Sequence, residues 1–273
     1  MPPDGFDLSP HDRGAPPGGL GMTPLLDLSG ALRLESCSST QEIARRLARE
    51  GAPEGTVVIA GTQTAGRGRG ERSWHSPPGL GLWMSFVLRP RVEAADWPAL
   101  TALTALAAAE ALELLHPASP IRSCAIKWPN DLYGHHGKLG GILAETAGNA
   151  VVVGLGLNLA QQAEDFPPEL RERASSLRME GLDPVPTAEF AAEAVNERLT
   201  AAYRVFQNGD RDFLREGLRA RFLLRGARVR VVWPGGSAEG TAVDLGPAGE
   251  LILQTAEGLR ALVAGEVASW ALG

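Results

Sequence analysis

Residues 121–158 read IRSCAIKWPNDLYGHHGKLGGILAETAGNAVVVGLGLN. Ile121 to Trp128, Gly140 to Thr146 and Ala150 to Gly156 are apolar runs of strand length, and what divides them is turn-forming sequence rather than helical sequence. Pro129-Asn130-Asp131 makes a turn at the end of the first strand, since proline presets φ and the asparagine and aspartate side chains bond their own backbone.

On either side of this block the pattern stays mixed. Residues 36–50 read as a helix: Ser39 and Glu42 fit a capping box, Ile43 and Leu47 share one face, and Gly51 stops it. Thr56 to Ala60 and Gly81 to Leu88 read as strands. Trp97 to Leu115 is an Ala/Leu-rich helix with Pro98 near its first turn, and two further helices are expected near 187–206 and 210–224. Strands and helices alternate without a regular βαβ period, which predicts an α+β mixed-sheet domain rather than a doubly wound one. From Gly226 the composition changes. Short segments at 228–233, 238–244, 250–255, 258–263 and 266–270 are punctuated by glycines, the spacing of a small β-barrel. The division expected is therefore 1–24, a loose Pro/Gly-rich tail; 25–225, the mixed-sheet domain; and 226–273, the barrel. A tail of that kind leaves no room for an N-terminal DNA-binding helical domain.

Composition narrows the function classes. The chain has 273 residues, 44% hydrophobic and 21% charged, with a formal net charge of −6. That balance exerts no long-range pull on nucleic acid or anionic membrane. Cys37 and Cys124 are too far apart for a CxxC motif, so a reducing compartment and no disulfide framework are expected. No apolar run approaches a membrane span and no secretion signal is present. A cytoplasmic location follows as the expectation.

Two motifs carry chemistry. Gly66-Arg67-Gly68-Arg69-Gly70, with Arg72 and Trp74 just beyond, sets arginines between glycines. The glycines let the backbone approach a ligand, and the guanidinium forks suit phosphates. The bland alternative is a disordered or RNA-contacting Arg/Gly segment, but this one is short, single and framed by strands. No Gly-Lys-Ser/Thr follows, so it is not a P-loop. The second motif is Lys127-Trp128-Pro129-Asn130-Asp131 followed by Lys138-Leu139-Gly140-Gly141-Ile142, which places polar groups at a sheet end beside glycines that admit a close approach. Here the alternative is a plain hairpin with a solvated lysine.

Other features weigh less. Gly154-Leu155-Gly156-Leu157-Asn158 is half a dinucleotide fingerprint without its third glycine or its βαβ unit; it reads as a strand end with Asn158 at its mouth. Ser38-Ser39-Thr40-Gln41 gathers hydroxyls and free amides at a helix start, which suits a carboxylate or polar ring edge as well as simple capping. His135-His136 lack a third ligand at metal spacing, the two cysteines suit small buried positions, and Arg45-Arg46 suit a solvated helix face.

Taken together, the Ser-Ser-Thr-Gln helix start, the Gly-Arg-Gly-Arg-Gly loop, the Lys-Trp-Pro-Asn-Asp-Leu-Tyr turn and the Lys-Leu-Gly-Gly-Ile-Leu and Gly-Leu-Gly-Leu-Asn strands resemble the biotin–protein ligase family, in its order and spacing, over roughly residues 34–270. The resemblance implies a class II synthetase-like catalytic fold followed by an SH3-like barrel. It implies formation of biotinyl-5'-AMP from biotin and ATP with Mg2+, then transfer of biotin to a lysine of a biotin carboxyl carrier protein such as that of acetyl-CoA carboxylase. No tightly bound prosthetic group, no protein metal site, no specific DNA and no membrane partner are implied, and a homodimer is left open. By the same resemblance Ser39, Thr40, Gln41, Gln63, Arg67, Gly68, Arg69 and Lys138 bind biotin and the adenylate, with Lys138 and Arg69 catalytic. Trp74, Lys127, Asn130 and Asn158 line the site. Departures are Gln41 where the family favours Asn, and Glu71 within the basic loop. The fold is shared with lipoate and octanoate ligases and transferases, which form the alternative; the two main motifs in tandem favour biotin.

Overall fold

The computed structural model describes residues 23–115 and 124–271. Residues 1–22 of the tail expected over 1–24, and the first three residues of the strand expected from Ile121, lie outside the described residues.

Seven strands form one mixed sheet. Chain order is β1 (Leu32–Cys37), α1 (Thr40–Arg49), β2 (Val57–Gln63), β3 (Gly81–Leu88), α2 (Ala99–Leu114), β4 (Ala125–Lys127), β5 (Asp131–Tyr133), β6 (Lys138–Ala147), β7 (Ala150–Asn158), α3 (Ala188–Gln207) and α4 (Asp212–Ala220). Spatial order in the sheet is β1-β2-β3-β7-β6-β5-β4, with β1 parallel to β2 and every other pair antiparallel. This is the α+β arrangement expected. Then come β8 (Arg228–Trp233), β9 (Gly236–Leu245), β10 (Leu251–Thr255), β11 (Gly258–Leu262) and β12 (Glu266–Ala271), an SH3-like antiparallel sheet ordered β11-β10-β9-β8-β12.

The burial pattern explains the layers. β3 is buried along its whole length because it is central and covered on both faces. α2 is apolar nearly all round and is enclosed, packing on α3, α4 and the sheet. α1 is amphipathic: Ala44 and Ala48 pack on Val58, Val87 and Val152 of the opposite sheet face. One hydrophobic cluster runs from Leu26 through α2 and α3 to Val267, so the two sheets share a core. Asn196 of α3 ties the entering chain to it, accepting from Leu26 N and donating to Leu26 O, both at 3.0 Å.

Four local expectations are corrected. The helix expected from residue 36 starts at Thr40, because Leu32–Cys37 is spent on the edge strand β1. The capping box does not form: Ser39 makes no side-chain cap, and Gln63 from β2 accepts from Thr40 N instead at 2.9 Å. The turn after Pro129 is followed at once by β5, which the sequence did not reveal because three residues give no period. The helix expected to reach 224 stops at Ala220, since Arg221 O and Leu223 N pair with Ile126 of β4.

Candidate functional site

The site is built on glycines. Strand alternation puts Gly141, Leu143 and Glu145 of β6, Val152, Gly154 and Gly156 of β7, and Trp83 and Ser85 of β3 on the α1 face of the sheet. Gly141 pairs with Gly156, and Leu143 with Gly154. A shallow floor results at Gly141, Gly154 and Gly156, where the strands carry no side chains. The indole of Trp74 lies on it: a Cβ added at Gly156 would meet Trp74 Cε2 and Nε1 at 2.6 Å, and one at Gly141 would meet Cζ3 at 3.2 Å.

Around the floor stand most of the residues singled out from sequence. Lys138, at the start of β6, sits 5.3 Å from the Trp74 ring centroid and donates to Asp131 Oδ1 at 2.5 Å. Thr40 Oγ1 lies 2.8 Å from Ser85 Oγ, and both its hydroxyl and its amide donate to Gln63 Oε1. Gln63 Nε2 donates to Ser76 Oγ at 2.8 Å. The Arg/Gly loop folds back on itself, with Gly68 N donating to Arg72 O at 2.7 Å and Trp74 N to Gly66 O at 2.8 Å. Gly66 has to be glycine here, since a Cβ would stand 2.5 Å from Trp74 O.

The two loop arginines go to different places. Arg67 turns to Glu145 at 3.2 Å. Arg69 reaches the C-terminal sheet and donates to Gly265 O at 2.9 Å, while Arg72 pairs with Glu266 at 2.9 Å. Burial lowers the Arg69 and Lys127 pKa values from their ordinary levels, and Asp131 opposes this in both. Arginine remains charged at any accessible pH. Lys127 lies 5.8 Å from the Tyr133 ring centroid, whose phenol is pushed up to about 12 by burial.

Asn130 and Asn158 brace the floor. Asn130 Nδ2 donates to Ile142 O at 2.6 Å; Asn158 Nδ2 donates to Ser175 O at 2.9 Å and its Oδ1 accepts from Gln161 Nε2. Three site atoms, Ser39 Oγ, Gln41 Oε1 and Trp74 Nε1, are buried with no hydrogen-bond partner among the described residues. Buried polar groups are normally satisfied, so such a group points to a ligand or water that completes it. Gln41 Oε1 stands by Gly154 and Trp74 Nε1 by Gly156, so the floor meets both an acceptor and a donor.

Sequence reading missed Glu145, Asp131, Ser85 and Ser76 as site members. For Glu145 a signal existed: it is four residues past Gly141, hence on the same strand face. It also takes Arg45 at 3.4 Å, so that arginine is not simply solvated as the helix pattern suggested. The other three owe their place to strand pairing and loop closure. His135 and His136 have exposed side chains, and their amides donate to Glu180. Among the described residues no three His, Cys, Asp or Glu side chains converge as metal ligands, and no helix is long and apolar enough to cross a membrane.

Comparison with known proteins matches residues 34–159 to the biotin/lipoate A/B protein ligase family and 226–270 to the biotin protein ligase C-terminal domain. A bifunctional ligase/repressor BirA of Bacillus spizizenii is 36% identical over 242 residues, covering 84% of this chain and 71% of that protein. A biotin–[acetyl-CoA-carboxylase] ligase of Mycobacterium tuberculosis is 34% identical over 234 residues, covering 84% and 85%. The Aquifex aeolicus biotin protein ligase solved with biotin and ATP superposes with a TM-score of 0.77 at 29% identity, covering 90% of this chain and all of that one.

Proposed function

Since this chain belongs to the biotin–protein ligases, we propose that it joins biotin to ATP as biotinyl-5'-AMP on the glycine floor and then transfers biotin to one lysine of a biotin carboxyl carrier domain. Biotin ligation itself comes with the family; the acceptor and the roles of individual residues are the proposal. The observation that carries it is the floor of Gly141, Gly154 and Gly156, with the buried orphan oxygen of Gln41 beside Gly154 and Lys138 beside Gly141.

The polar end suits the ureido ring, which needs donors and acceptors at once. The cationic end suits the reacting groups. The biotin carboxylate attacks the α-phosphorus, the acyl–phosphate bond forms and pyrophosphate leaves. Two anions must be brought together for this, and Lys138 offsets their repulsion and the charge that develops. Asp131 holds the Lys138 ammonium in place until phosphate oxygens compete for it. Arg69 covers the adenylate from the loop, and its bond to Gly265 O ties that cover to the C-terminal sheet. A closed cover excludes water from an anhydride that hydrolyses readily. In the second step the acceptor lysine amine attacks the acyl carbon and AMP departs.

Magnesium enters with the nucleotide. There it would neutralise the departing pyrophosphate; the carboxylates at the floor, Asp131 and Glu145, are already paired with Lys138 and with Arg45 and Arg67. Residues 25–225 would carry the chemistry and 226–273 the brace for the loop.

The test is incubation with biotin, Mg-ATP and a biotin carrier domain, read by mass. Addition of one biotin to the carrier, with pyrophosphate released only when biotin is present, is the expected result. Biotin-independent pyrophosphate release, or an unmodified carrier, would overturn the reading.

A further inference from the structure

Glu145 collects donors from two other chain segments. Arg67 Nη2 donates to Oε1 at 3.2 Å and Arg67 Nη1 to Oε2 at 3.3 Å. Arg45 Nη1 of α1 donates to Oε1 at 3.4 Å, and Gln41 Nε2 to Oε2 at 3.1 Å. The Gln41 nitrogen also faces Val152 O at 3.1 Å and Leu143 O at 3.4 Å. Reversing this amide would press its oxygen against a carboxylate and two carbonyls. Its orientation is therefore fixed, and Oε1 is the atom left pointing at the floor, 2.7 Å from where a Cβ at Gly154 would stand. That oxygen is buried and without a partner among the described residues, as is Ser39 Oγ two residues earlier. A buried acceptor of this kind is costly until a donor reaches it.

We propose that Glu145 is a positioning residue that sets the ring selectivity of the acid site. It locks Gln41 with its oxygen toward the floor and holds the Arg67 fork, so the site favours an acid whose ring carries N–H groups over one whose ring has none. The proposal rests on the biotin reading above, in which the ureido ring supplies those N–H groups. Glu145 does not touch the substrate; it acts through Gln41 and Arg67. The Gln41 lock explains how an amide longer than the family's usual Asn still presents a defined acceptor.

The test is calorimetric titration of biotin, and separately of lipoate, into the full chain without nucleotide. Lipoate is an acid of similar length whose ring carries sulfur and no N–H. Glu145→Ala and Gln41→Met are each expected to weaken biotin binding by about tenfold or more, with lipoate binding changed less than twofold, because only the hydrogen-bonding ring loses its partner. The double variant should lose little beyond either single one, since both act on one interaction. Glu145→Asp, which keeps the charge, should recover part of the loss. Biotin affinity in Glu145→Ala within twofold of the parent would overturn the proposal. So would equal weakening of biotin and lipoate, which would mark a general collapse. If Glu145→Ala fails to fold, Glu145→Gln keeps the volume and carries the same comparison, and the same two results would overturn the proposal. A parent that binds no biotin would instead overturn the functional reading on which this one stands.

Discussion

The Trp74 indole occupies the space that a side chain at position 156 would fill: a Cβ on Gly156 would stand 2.6 Å from Trp74 Nε1 and Cε2. Gly156 is therefore there because an aromatic ring, and by the functional reading a ligand, must come within van der Waals distance of the strand.

Gly156→Ala is accordingly expected to push the indole off the floor. Biotin-dependent pyrophosphate release should fall by roughly a hundredfold, about 2.7 kcal/mol of lost transition-state binding. Melting temperature should stay near that of the parent, since Trp74 sits on a surface loop and can swing outward. The Trp74→Ala/Gly156→Ala double variant, which removes the clash, should fold as well as the single one. Parental activity in Gly156→Ala would show that the floor does not hold substrate.

Lys138→Ala removes the cation beside the floor and leaves Asp131 without its ion pair. Adenylate formation should drop by about two orders of magnitude or more, as when an oxyanion-stabilising donor is deleted. Both partners keep part of their surface in water, so thermal stability should change by no more than about 1 kcal/mol. Labelled-ATP turnover beside a melting curve separates the two effects. Undiminished biotin activation would mean that Lys138 only decorates a turn.

Arg69→Gly tests retention rather than synthesis. Arg69 clamps the loop to the C-terminal sheet through Gly265 O. Without it the intermediate should escape faster than it fails to form, and a free mixed anhydride acylates any accessible amine. Biotin transfer to an unrelated lysine-rich protein, normalised to adenylate made, should rise several-fold. Equal bystander labelling by parent and variant would show that another group retains the intermediate.

The pH dependence of folding should carry a mark from Asp244. Burial alone would raise its pKa. The paired bonds from Arg219 on α4, at 2.6 Å each, outweigh this and hold the carboxyl below its ordinary 3.8. A carboxyl depressed in the folded state adds stability that is present above its unfolded pKa and lost as pH falls through its folded value. Asp244→Asn should thus cost about 1 kcal/mol at neutral pH, with the difference from the parent shrinking below about pH 4. Urea midpoints at pH 7 and pH 3 measure it. A constant difference would assign the loss to packing.

From sequence alone come most of the elements and the alphabet of the site. Gly81–Leu88 was legible because eight residues with Ser85 as the one polar side chain, between glycine and proline turns, have one sensible burial, and α2 because an Ala/Leu run cannot face water. The five short strands after Gly226 were legible from their turn spacing. So were the Arg/Gly loop and the Lys-Trp-Pro-Asn-Asp turn, whose chemistry is local. Strands β1 and β5 were not: an exposed edge strand has no clean alternation, and three residues have no period. It took the folded chain to make Gln63 rather than Ser39 the cap of α1, to send Arg67 and Arg69 apart, and to gather Arg45, Arg67 and Gln41 on Glu145. The physical reason is the same in each case. Propensity and periodicity act within a window of about 11–18 residues, whereas these contacts join positions 23 to 196 residues apart, and only the closed sheet brings them within hydrogen-bonding reach.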